Sequence, residues 1–138
     1  VRPRPDCRIF RGNQGVAEQR GNSQPLIASL FGHALIATED PANFAEAERV
    51  LKASITKDNE NPFAWYQLGV VYDRKGDEPR AAMATAERYH LEGQPRLALA
   101  NAEIAVRSLP QGSPDWIRAQ DIALVSRAAA AEEKRKRR

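Results

Sequence analysis

Residues 61–82 read NPFAWYQLGVVYDRKGDEPRAA, and this segment has the features of a helical hairpin. Its larger side chains and one glycine recur at the spacing of a single helix face: Trp65, Leu68, Gly69 and Tyr72. Gly76 is suited to end that helix in a left-handed C-cap, and Asp77 is suited to cap the next helix. Ala81 then places a small side chain where the second helix approaches Gly69. The segment therefore predicts two antiparallel helices, with the aromatic rings filling the space between them.

The same alternation of helix and breaker extends through residues 25–131. Amphipathic spacing predicts six helices, at about 25–38, 43–57, 62–75, 78–92, 95–108 and 114–131. Asn43 is the expected N-cap of the second helix, and Pro62 suits the first turn of the third. Short loops between helices favour antiparallel neighbours, and strand signals are missing. The sequence thus predicts an all-α domain of six antiparallel helices in three pairs.

Charge is distributed unevenly along the 138 residues, whose formal net charge is +3. Residues 1–24 carry +3 and residues 132–138 carry +3, so residues 25–131 sum to −3. We expect an irregular basic arm over 1–24, with one short helix near Val16–Gln19, and a basic tail over 132–138. Because the folded body is mildly acidic, a nucleic-acid-binding domain is not favoured. The terminal KRKRR leaves two interpretations open, a solvated chain end or a nucleic-acid or nuclear-import signal.

The pattern in residues 65–81 resembles the tetratricopeptide repeat (TPR). Its first helix has the motif W-x2-L-G-x2-Y, which Trp65, Leu68, Gly69 and Tyr72 match without a gap. A second match ends at Pro110 and begins 17 residues after the match that begins at Pro62, which is half a repeat. One helix, 78–92, would then serve as second helix of one motif and first helix of the next. The resemblance implies a TPR-like α-solenoid whose exact register and repeat count are open.

A narrower resemblance covers residues from about Pro25 to Arg127. NPFAWYQLGVVYDRKGDEPRAA, AERYHLEGQPRLALANAEIAV and LPQGSPDWIRAQDI look like the C-terminal TPR region of BepA-type bacterial zinc metalloproteases, and the upstream stretch HALIATEDPANFAEAERVLKASITKD is similar to the preceding repeat there. The hexapeptide W-I-R-A-Q-D, residues 116–121, is the most specific part of this likeness. The resemblance implies a periplasmic protein that takes part in outer-membrane protein assembly and quality control.

The zinc signature of such proteases, HExxH, is not carried by either histidine. His33 is followed by Ala34-Leu35-Ile36-Ala37, and His90 by Leu91-Glu92-Gly93-Gln94. That motif needs two histidines one turn apart and a glutamate as general base. The chain starts at Val1 without a methionine, so we expect a piece of a longer protein. Any zinc is expected upstream, and no catalytic, cofactor-binding or metal-binding residue is predicted in this chain.

The remaining candidates for chemistry favour structural roles. Trp65 and Tyr72 could stack on a ligand, but their helical spacing favours core packing. Trp116 is expected to cover the apolar face of the last helix pair, since a terminal repeat leaves one open. Cys7, in an arginine-rich segment, has no nearby histidine to make it a nucleophile. No apolar run approaches the roughly 18 residues that a membrane span requires.

The predicted function therefore rests on a surface. First helices of successive TPR pairs line a concave face that binds peptides. The outward residues of helix 62–75 would be Phe63, Tyr66, Val70, Asp73 and Arg74. Those of helix 78–92, if it acts as a first helix, would be Arg80, Met83, Glu87 and His90. Rings would bury area while Arg74 and Arg80 bind carboxylates or carbonyls of a partner; an ordinary solvated surface is the alternative interpretation.

Taken with the resemblance, this surface predicts a non-catalytic TPR interaction module. Its expected partners are an upstream protease domain of the same chain and client or assembly proteins, with no nucleic acid and no membrane span. A second interpretation makes the domain a part of a zinc metalloprotease that gates or recruits substrate. A free-standing TPR scaffold or chaperone adaptor is the third. The sequence does not indicate the oligomeric state.

Overall fold

The computed structural model describes residues 27–138, and all regular structure within that range is α-helix. Helix α1 occupies residues 27–37 of the described range, and five helices follow it: α2 (Pro41–Lys57), α3 (Pro62–Arg74), α4 (Glu78–Leu91), α5 (Pro95–Ser108) and α6 (Pro114–Lys136). The prediction of an all-α domain is confirmed for this range. The predicted basic arm, its short helix near Val16–Gln19, and Cys7 lie outside the described residues.

Proline and a short polar side chain set most helix starts. Helices α2 to α6 each have proline at the first or second position, where its missing N–H leaves no hydrogen bond unmade. The Asn61 carboxamide oxygen accepts from the backbone N–H of Phe63 at 3.0 Å, and Ser113 Oγ accepts from that of Trp116 at 3.2 Å. Asp77 caps α4 as predicted. These local signals explain why the predicted starts of α3 to α6 agree with the structure.

The start of α2 differs from the sequence prediction. Its N-cap is Asp40, whose Oδ1 accepts from the backbone N–H of Ala42 at 3.0 Å, and not Asn43. Pro41 suits the first helical position directly after a cap, which moves the start two residues earlier. The Asn43 side chain instead donates from Nδ2 to Thr38 Oγ1 at 2.8 Å. Asn43 thus ties α2 back to the loop that follows α1.

Glycine ends α3 and α4. Gly76 and Gly93 have φ of +76° and +70°, a region that L-amino acids with side chains rarely adopt. After Gly76, the backbone N–H of Asp77 donates to the Tyr72 carbonyl at 2.9 Å, and Gln94 donates to the Tyr89 carbonyl in the same way after Gly93. Each turn therefore satisfies helix-end carbonyls and reverses the chain within a few residues.

Helix α6 is longer than predicted. Its predicted end is near residue 131, but the helix continues to Lys136 and includes most of the expected basic tail. Residues 128–136, AAAAEEKRK, are strong helix formers, and Lys134, Arg135 and Lys136 lie in the last turn, where cations interact favourably with the helix dipole. The Arg96 side chain of α5 also lies 3.9 Å from Glu133. The basic segment is thus an extension of the last helix.

The helices pack mainly against their chain neighbours, and α4 also contacts α6. Trp65 and Tyr72 lie in the core between helices, which confirms their predicted role. Trp116 packs against the same core from α6, and its Nε1 donates to the Val106 carbonyl at 3.1 Å. This arrangement is compatible with a helical repeat; the TPR-like solenoid itself stays a prediction.

Two glycines illustrate how closely the helices approach one another. A Cβ added at Gly69 would lie 3.5 Å from Thr85 Oγ1 and 3.7 Å from Ala84 Cβ, which are ordinary contact distances. A Cβ added at Gly32 in α1 would lie 2.8 Å from Leu51 Cγ, closer than a Cβ atom approaches a non-bonded carbon in folded proteins. A side chain therefore does not fit at Gly32, where α1 crosses α2, whereas a methyl group fits at Gly69 of the TPR-like motif.

Gly32→Ala is expected to destabilise the protein by about 1–2 kcal/mol, because Leu51 is fully buried and must shift to admit the new methyl group. Gly69→Ala is the matched control: its methyl group fits, and alanine gains up to about 1 kcal/mol over glycine within a helix. Urea unfolding followed by circular dichroism would measure both. Equal effects of the two substitutions would contradict the steric difference.

Candidate functional site

Four of the predicted contact residues lie together on the exposed side of α3. They are three or four residues apart, so they share one helix face: Phe63, Tyr66, Val70 and Asp73. Together with Arg88 of α4 they line two adjoining depressions that share Tyr66 and Arg88. We refer to these five residues as the α3–α4 surface. Tyr66 is 46% exposed, whereas Trp65 beside it is buried, so the helix divides its aromatic side chains between surface and core.

Arg88 lies at the centre of the contacts on this surface, and it is not among the contact residues predicted from the sequence. Its guanidinium carbon lies 5.0 Å from the centre of the Tyr66 ring and 4.9 Å from that of Tyr89. Its Nε donates to Glu92 Oε1 at 2.9 Å, and this hydrogen bond raises the pKa of Arg88 above its ordinary value. Arg88 is therefore a fixed cation between two aromatic rings. Only the packing of α3 on α4 places it beside Tyr66, which residue spacing within α4 does not show.

The two arginines expected to bind a partner already have carboxylate neighbours. Arg74 lies 3.5 Å from Glu39, in a pair that is largely exposed and therefore of small energetic value. Arg80 lies 3.2 Å from Asp115 and 5.9 Å from the centre of the Tyr72 ring. Arg80 thus connects α4 to the start of α6, which is a structural contact. The Arg74 side chain is about half exposed to solvent.

Two residues predicted to face outward are buried. Met83 is 3% exposed and Glu87 is 7% exposed, so the prediction that they form a surface for a partner is wrong. The reason is that α6 packs on this side of α4, and Arg118 Nη2 donates to Glu87 Oε1 at 2.8 Å. Because α6 is distant in sequence, the periodicity of α4 alone could not show which of its sides would be covered.

His90 is exposed but lies on a different surface from Tyr66. It lines a groove between α4 and α6, together with Glu87, Ile117, Arg118 and Val125. Residues 78, 81, 85 and 88 share one face of α4, and residues 80, 83, 87 and 90 share another. Arg88 and His90 therefore point to roughly opposite sides of the helix axis. The predicted site residues therefore do not form one continuous patch.

The W-I-R-A-Q-D hexapeptide, residues 116–121, has a packing role in this structure. Trp116 donates a hydrogen bond to the Val106 carbonyl of α5, and Ala119 is fully buried. Arg118 lies over the Trp65 ring, 4.6 Å from its centre, while it pairs with Glu87. The hexapeptide thus connects α6 to α3, α4 and α5, which gives a physical reason for a specific sequence at this position.

Within residues 27–138 there is no group of three or more histidine, cysteine, aspartate or glutamate side chains placed to hold a metal ion. His33 instead lies beside an aromatic ring, with its centre 6.2 Å from that of Phe63. Among the helices of this range, none combines the length and the apolar character needed to cross a membrane. Comparison with known proteins gives no significant match to a family model, to a curated protein or to a solved structure.

Proposed function

We propose that this chain is a non-catalytic protein-interaction module that binds an extended peptide segment on the α3–α4 surface. The observation that carries the proposal is the exposed pair of aromatic rings, Phe63 and Tyr66, beside an arginine that is already held in place. Tryptophan, tyrosine and arginine are enriched among the few residues that dominate the binding energy of protein interfaces. Because Tyr66, Tyr89 and Glu92 restrain Arg88, binding loses little side-chain entropy there.

The charges of the surface indicate the chemistry of the peptide. Asp73 and Glu78 line the depression beyond Tyr66, and neither forms an ion pair with another described residue. An apolar side chain of the peptide would pack on Phe63 and Tyr66, and a basic side chain would lie beside the two carboxylates. We therefore propose an extended segment with an apolar residue followed, a few residues later, by lysine or arginine.

The resemblance to BepA-type metalloproteases adds a finer proposal. The module would be the C-terminal domain of a periplasmic zinc metalloprotease and would bind both the protease domain of the same chain and partner or client proteins. A free-standing scaffold or chaperone adaptor is the alternative. Sequencing the coding region upstream of Val1 distinguishes the two, because the first requires an HExxH motif there and the second does not.

The binding proposal is tested by selecting peptides from a random display library on the immobilised chain and measuring their affinity for variants. Tyr66→Ala is expected to weaken binding about tenfold, or about 1.4 kcal/mol, while Tyr66→Phe keeps the ring and retains binding. Selected peptides are expected to shift the amide resonances of residues 63–73 and 85–92. They should also lose affinity when their basic residue is replaced by glutamate.

Leu97→Ala is the matched control, since Leu97 of α5 is 45% exposed, like Tyr66, but lies outside the α3–α4 surface. Its affinity for the selected peptides should equal that of the wild type. If Tyr66→Ala bound the peptides as well as Leu97→Ala did, or if the shifts clustered on α5 and α6 alone, the α3–α4 surface would not be the binding site.

A further inference from the structure

The outer side of α6 carries an apolar stripe that no described residue covers. Leu124 is 70% exposed and Ile117 is 49% exposed. Six residues alternate at spacings of four and three, which places them on one line along the helix: Ile117, Asp121, Leu124, Ala128, Ala131 and Arg135. We refer to these six as the α6 stripe. The opposite face of the helix is buried through Ala119, Ile122, Ala123 and Ser126.

The two charges of the stripe lie in opposite halves of the helix. Asp121 is in the amino-terminal half and Arg135 in the last turn, and neither forms an ion pair with another described residue. Two parallel copies of α6 would place like charges opposite each other, which is unfavourable. Two antiparallel copies would bring each Asp121 within about one helical turn of the other copy's Arg135. The charge pattern is therefore complementary to itself in one orientation only.

We propose that the α6 stripe binds a second copy of this chain, with the two helices antiparallel around a two-fold axis. With the axis midway between residues 124 and 128, each Leu124 lies opposite Ala128 of the other copy. The small side chains of Ala128 and Ala131 let the helices approach closely, so Leu124 and Ile117 lose most of their exposure. The interface is isologous, and each of its contacts occurs twice. Because one helix pair buries a modest area, the dissociation constant is expected to be on the order of micromolar.

The proposal is independent of peptide binding, since Tyr66 and Arg88 lie away from this stripe and neither process requires the other. Sedimentation equilibrium of the full 138-residue chain at low salt is expected to give a mass that rises with concentration from 15.3 kDa towards twice that value. Leu124→Glu is expected to stay monomeric at the same concentrations. Leu97→Glu, an exposed leucine on α5, is the matched control and should still dimerise.

Charge exchange tests the orientation. Asp121→Arg and Arg135→Asp are each expected to weaken dimerisation about tenfold, and the double variant is expected to recover it. Asp121 and Arg135 are exposed, as are Leu124 and Leu97, so far-ultraviolet circular dichroism should show unchanged helix content for every variant. A wild-type chain that stays monomeric at millimolar concentration would overturn the proposal, as would dimerisation of Leu124→Glu. Failure of the double variant to recover would overturn the antiparallel arrangement.

Discussion

Trp65→Ala is expected to lower the free energy of unfolding by about 3–5 kcal/mol, a large part of the stability of a domain of this size. The Trp65 side chain is only 3% exposed and belongs to a core to which all six helices, α1 to α6, contribute. Its removal leaves a cavity that the surrounding helices can fill only in part. It also removes the hydrogen bond from Nε1 to the Asn59 carbonyl, 2.9 Å long, and the ring on which Arg118 stacks.

Chemical denaturation followed by circular dichroism measures this loss without relying on tryptophan fluorescence. Phe63→Ala is the control, because Phe63 is on the same helix but lies at the surface. We expect it to cost less than about 1 kcal/mol. A melting temperature of Trp65→Ala within about 2 °C of the wild type would show that the indole is not part of the core.

Ala102→Leu is expected to destabilise the protein by about 3 kcal/mol, at the upper end of what overpacking costs. Ala102 of α5 is fully buried in a cluster of residues from three helices, four of them alanine: Ala86, Ala98, Ala102, Ile122 and Ala123. A leucine side chain at this position would force α5 away from α4 or α6. The close approach of the three helices depends on methyl-sized side chains along this line.

Ala100→Leu supplies the matched control on the same helix. Ala100 is exposed, so its replacement is expected to change the stability by less than about 0.5 kcal/mol. Thermal and urea unfolding of the two variants, measured side by side, would separate overpacking from any effect of leucine on the helix itself. Equal stabilities of the two variants would mean that the space around Ala102 can accommodate a larger side chain.

Features set by short stretches of sequence could be predicted well. Proline at the helix starts and glycine after α3 and α4 are local signals, and they fix those ends whatever the tertiary structure. The burial of Trp65 and Tyr72 follows from their spacing within one helix. The N-cap of α2 was assigned wrongly because Asp40 and Asn43 are both good caps, and only the proline between them favours the earlier one.

Features that depend on distant segments could not be predicted in the same way. Met83 and Glu87 were expected at the surface because the sequence does not say on which side of α4 a helix some 30 residues later will pack. The same holds for Arg88, whose proximity to Tyr66 depends on the crossing of α3 and α4. Gly32 has no sequence signal that separates it from Gly69, yet only Gly32 lies against a buried leucine at a distance that excludes a methyl group.

The position of Arg118 has a consequence for how this stack of helices comes apart. A stack of helices in which each helix contacts only its neighbours can unfold one helix at a time from its end. Detachment of the last helix, α6, by itself would leave the buried Glu87 carboxylate without its cation and would remove Arg118 from the Trp65 ring of α3, so it is costly. We therefore expect α3, α4 and α6 to open together as one cooperative unit.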